Sequence, residues 1–113
     1  MSLPIVDTLR PFVEKGDHDA VYEILRDHFI ATARECDVKA YVQHFVRVRA
    51  GVLTLQGMPQ AALRACLIRA SDAAVIEVYR RLTHEDFLCL RFELAILVHM
   101  WIPTGWRSTR EED

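Results

Sequence analysis

Residues 87–102 read FLCLRFELAILVHMWI, and this stretch decides the fold class. Thirteen of its sixteen residues are apolar; the exceptions are Arg91, Glu93 and His99. Thr83 precedes it with Asp86 three positions on, the spacing of a capping box with Asp in the usual Glu or Gln slot. Pro103 and Gly105 close it. A helix apolar on nearly every side has to be wrapped by protein or by lipid. A membrane span needs about 20 apolar residues, and two charges stand inside this run, so protein rather than lipid is the expected wrapping. The expectation is the central helix of a small α-helical domain, or one half of a subunit interface.

Working outward, the rest of the chain divides into further helices. Helix 1 is expected from Leu3 or Pro4 to Lys15, capped by Ser2, with Pro4 in the first turn and a stripe of Ile5, Leu9, Phe12 and Val13. Pro11 falls inside and should kink or split it; Gly16 ends it. Helix 2 runs from Asp17 to Glu35, with Val21, Ile24, Leu25, His28, Phe29 and Thr32 at helical spacing. Asp37 caps helix 3, Val38 to Gln56. There Val46-Arg47-Val48-Arg49 alternates, so a strand across 44–50 is the rival reading. Helix 4 is Pro59 to Arg69. Ser71 or Asp72 then caps helix 5, Asp72 to Leu82. Short links between successive helices predict antiparallel neighbours. The expected fold is all-α: one domain over 1–102, built as an antiparallel bundle or as stacked helical hairpins, with a polar tail over 103–113.

Gly57, with Ala62 five positions on after a long helix, is similar to the turn and second helix of a tetratricopeptide repeat. The similarity covers roughly 30 residues; the preceding helix lacks the Trp, Gly and Tyr pattern of that family, and no second repeat follows. It implies stacked hairpins as a shape.

Composition bounds the rest. The chain has 113 residues, 51% hydrophobic, with a net charge of −2. That charge is uneven: residues 1–37 carry eight acidic and four basic groups, and residues 38–92 carry eight basic and four acidic. Such polarity pairs two halves of one monomer, pairs one subunit with the next, or steers an acidic partner to the middle segment. Met1 to Val6 has no signal-peptide pattern. Cys36, Cys66 and Cys89 have no metal-ligand spacing and read as free thiols in a reducing cytoplasm. Cys66 and Cys89 fall on expected core faces.

No catalytic constellation is evident. The five histidines (His18, His28, His44, His84, His99) are scattered over four expected helices, with no Glu-x-x-His pair. No metal, cofactor or catalytic residue is therefore expected. Ala62 to Leu82, ALRACLIRASDAAVIEVYRRL, offers a short helix, a turn at Arg69-Ala70-Ser71 and a second helix. Flanked by Arg64, Arg69, Arg80 and Arg81, it makes a helix-turn-helix in a nucleic-acid-binding regulator the second expectation. The first is a non-enzymatic, cytoplasmic protein–protein interaction module: an adaptor, a chaperone-like subunit or a small regulator. Its expected partner is itself, as a homodimer formed through Arg91, Leu97, Met100, Trp101 and Trp106.

Overall fold

Three short polar devices set the path of the chain. The computed structural model describes residues 3–79, 83, 85 and 88–92, and every regular element among them is helical. These are α1 (Pro4–Lys15), α2 (His18–Glu35), α3 (Val38–Val52) and α4 (Gln60–Tyr79); residues 88–92 are helical as well. The protein is an all-α domain. No helix among the described residues is long and apolar enough to cross a membrane.

The first device ends α1. Gly16 takes the left-handed conformation, φ 71°. Its N–H donates to the Val13 carbonyl, and the Asp17 N–H donates to that of Phe12. That pair of bonds is a Schellman motif. The Asp17 carboxylate then caps α2 by accepting from the Ala20 N–H at 3.1 Å. Asp37 caps α3 in the same way, from Ala40 at 2.8 Å. Only Cys36 and Asp37 separate α2 from α3, so these two helices have to run antiparallel. The last device is the link to α4, where the Gln60 side chain donates to the Leu53 carbonyl at 3.0 Å.

Each helix buries one stripe. In α1 it is Ile5, Val6, Leu9 and Val13; in α2, Val21, Leu25, Phe29 and Ala33; in α3, Tyr41, Phe45, Val48 and Val52. In α4 it is Leu63, Cys66, Leu67, Ala70, Ser71, Ala74 and Val75. The small residues Ala33, Ala70 and Ala74 let α2 and α4 lie close together, and this is the most extensive helix contact. Its pairs advance in one direction: Cys66 Sγ to the His18 carbonyl, Arg69 over the Tyr22 ring, Arg34 to Glu77. So α2 and α4 run parallel. Val6 and Val13 of α1 face Gly51 and Gly57 in the same order, so α1 and the α3 segment are parallel too. Two layers result, α1 with α3 and α2 with α4, which is the stacked-hairpin arrangement.

Several expectations change. The strand rival over 44–50 is excluded, because those residues lie inside α3. Pro11 does not divide α1, which continues through it. The N-cap of α1 is Leu3, with no side-chain cap bond, rather than Ser2. Expected helices 4 and 5 are one helix. Ser71 is not a cap but a buried residue of α4, facing the Tyr41 hydroxyl at 3.3 Å. An Ala-rich run without Gly or Pro gives the backbone no reason to stop. Not all neighbours are antiparallel, since α2 and α4 pack side by side in the same sense. The expected central helix is described over 88–92, where Leu90 is fully buried but Leu88, Cys89, Arg91 and Phe92 are exposed. Cys89 is therefore not a core residue. Residues 93–102 and the tail lie outside the described residues.

Two glycines report how α1 seats against α3 and the link that follows it. A Cβ at Gly57 (φ 123°) would strike the Val13 carbonyl oxygen and come within 2.6 Å of the Glu14 Cα, both main-chain atoms. A Cβ at Gly51 would come within 2.7 Å of the Val6 Cγ2. Gly57→Ala is expected to cost on the order of 2–5 kcal/mol, since strain and overpacking add. Gly51→Ala gains about 1 kcal/mol of helix propensity but loses about 1–3 to the rigid, β-branched Val6, so it should destabilise. In a Val6→Ala background the same change should stabilise by up to about 1 kcal/mol. Urea denaturation of the four proteins of this cycle measures the sign, and stabilisation by Gly51→Ala in the wild type would remove the α1–α3 contact.

Candidate functional site

The α2–α3 hairpin brings two histidines together. His28 and His44 each stand eight residues from Cys36, one before it and one after. The tight link folds them opposite each other, as it does Phe29 and Phe45, whose ring centroids lie 5.2 Å apart. The His28 and His44 rings are 4.8 Å apart between centroids, with Nε2 to Nε2 at 2.6 Å. Both side chains are partly buried. Such a contact needs one imidazole to donate its Nε2–H and the other to accept through a bare Nε2, so the accepting ring is neutral with its proton on Nδ1. Burial holds both below the usual histidine range; a proton on His44 would lower His28 further, and the Arg47 guanidinium lowers His44.

The pair sits on a firm base. Phe29, the residue after His28, packs against Phe45 and edge-on to Tyr41 at 6.1 Å. Burial pushes the Tyr41 phenol up to about 12, although its bond to Ser71 works the other way. Arg47, one turn beyond His44, also borders an open cleft of about 520 Å³ between α1 and α3, lined by Leu3, Val6, Arg10, Ala50, Gly51 and Thr54 besides.

The residues singled out from sequence fare unevenly. Arg91 is exposed, so it is not the buried charge that an apolar helix would have made of it. Leu97, Met100, Trp101 and Trp106 lie outside the described residues. The helix-turn-helix has no turn to stand on, because α4 passes through Arg69-Ala70-Ser71 unbroken. Arg69 stacks on Tyr22, its guanidinium carbon 4.2 Å from the ring centroid, and is thereby committed to the α2–α4 contact. Across α2 and α4, Arg34 meets Glu77 at 2.7 Å, a basic residue of the acidic segment with an acidic residue of the basic one. A second large feature is apolar. Among the described residues the exposed large hydrophobic side chains are Ile76 (71%), Leu88 (51%) and Phe92 (67%). All three lie after the core stripe of α4.

Sequence reading missed the histidine pair because it searched for ligands along single helices. The available signal was the hairpin: once Asp37 is a cap, residues at similar distances on either side of the link, such as His28 and His44, are brought level with each other.

The pH dependence of folding should show both edges of this site. Imidazoles held low bind fewer protons folded than unfolded, so stability is full above the unfolded value near 6.5 and falls as pH drops below it. A phenol held high does the opposite, so stability falls again as pH rises from about 10 towards 12. His28→Gln with His44→Gln should flatten the acid limb, and Tyr41→Phe the alkaline limb, in thermal unfolding followed across pH. An acid limb unchanged in the double variant would show that the pair does not titrate with folding. No protein-family model, curated protein or solved structure matches this chain.

Proposed function

We propose that this chain is a small, non-enzymatic protein-interaction module that self-associates. The observation that carries the proposal is the placement of apolar exposure. From residue 3 to residue 75 no large apolar side chain is exposed, whereas Ile76, Leu88 and Phe92 stand open to solvent. Monomers rarely expose contiguous apolar surface, and aromatic residues are enriched at interface cores. The same end of the chain leads into Leu94, Ala95, Ile96, Leu97 and Val98, five apolar residues in succession. A second copy is the partner favoured here, because a twofold pair sets like against like and needs no other complementary surface. Adaptor, chaperone-like and regulatory roles are all consistent with such a module.

Sedimentation equilibrium tests this directly. The wild type should be a dimer in the micromolar range, and Phe92→Glu or Trp101→Glu should shift it to monomer with its helical circular dichroism intact. A wild type that stays monomeric at high micromolar concentration would overturn the proposal.

A further inference from the structure

We propose that His28 and His44 form an open site for a divalent transition-metal ion of the zinc class, ligated through their two Nε2 atoms. The geometry comes first. Two nitrogens from different helices converge on one point, 2.6 Å apart. Their helices are held in register by the two-residue link and by the Phe29–Phe45 contact beneath them. A zinc ion binds imidazole nitrogens at about 2.0–2.1 Å and spreads two tetrahedral ligands to roughly 3.3 Å. The rings therefore have to part by about 0.7 Å. Their contact with each other is the one hydrogen bond that either ring makes among the described residues, so a small rotation of each breaks no other hydrogen bond there. Partial burial leaves the site reachable from water.

The chemistry follows from the donors. A hydrogen bond uses one lone pair and one N–H of the pair; an ion uses two lone pairs and releases that proton to the neighbouring Nδ1 or to solvent. Neutral imidazole is the ligand form, and burial favours it in both rings. Imidazole suits zinc, nickel and copper, and it discriminates against magnesium and calcium. Among the described residues no group of three or more His, Cys, Asp and Glu is placed to hold a metal. The remaining coordination positions are thus left to water or to an exchangeable ligand, and Arg47 nearby opposes the ion's charge. This is an exchangeable site rather than a structural one. It is independent of self-association.

Zinc titration of the full chain, followed by long-range nitrogen–proton NMR of the imidazoles and by thermal unfolding, tests the site. The Nε2 signals of His28 and His44 should move together and saturate at one ion per chain, with a rise in Tm. His28→Gln and His44→Gln each keep a hydrogen-bonding group for the remaining ring, and each should weaken zinc binding by roughly tenfold or more. Cys36→Ser and Cys89→Ser should leave it unchanged. The site is overturned if the His28 and His44 signals stay fixed while zinc binds at the thiols, or if both Gln variants bind as the wild type does. Should either variant fail to fold, the wild-type signals alone decide.

Discussion

Everything described here depends on the burial of Leu25 and Phe29 on the core face of α2. Both side chains are fully covered. Phe29 is the meeting point, in ring contact with Tyr41 and Phe45 of α3. Losing such an aromatic side chain costs about 3–5 kcal/mol in comparable cores, a large share of the stability of any domain this size. The α2–α3 link is too short to offer an alternative pairing, and α4 offers α2 a stripe of small residues along which to settle. The histidine pair is a by-product of this constraint: residues beside a fixed aromatic contact are themselves fixed.

Much of this was legible in the sequence, and the reasons are local. Asp17, Asp37 and Gly16 act through atoms one to three residues away, so their roles survive folding unchanged. The stripes of α1, α2 and α3 follow from periodicity alone. Ser71 misled because its side chain is equally suited to capping a helix and to facing a buried hydroxyl. Only the position of Tyr41, thirty residues earlier, decides between them. The parallel run of α2 and α4 was also hidden, since short links govern successive helices and say nothing about helices two apart. Cys89 and Arg91 were placed by assuming that an apolar run is wrapped on all sides; over 88–92 only Leu90 is.

Stability and stickiness are segregated along the chain. The first three helices and most of α4 close their apolar surface within the domain. Among the described residues the exposed large apolar side chains all follow, and they precede the most hydrophobic run of the sequence. A surface of this kind favours a partner that offers the same apolar chemistry, which is why self-association is favoured over recognition of a strongly charged ligand.

Residue-resolved native-state amide hydrogen exchange tests the central claim, that α2 and an unbroken α4 form one cooperative core. The amides of Leu25, Phe29, Leu67, Ala70 and Ala74 should fall in the slowest class and share a single opening free energy. Fast exchange at residues 69–72, dividing that helix into two independently opening parts, would contradict it.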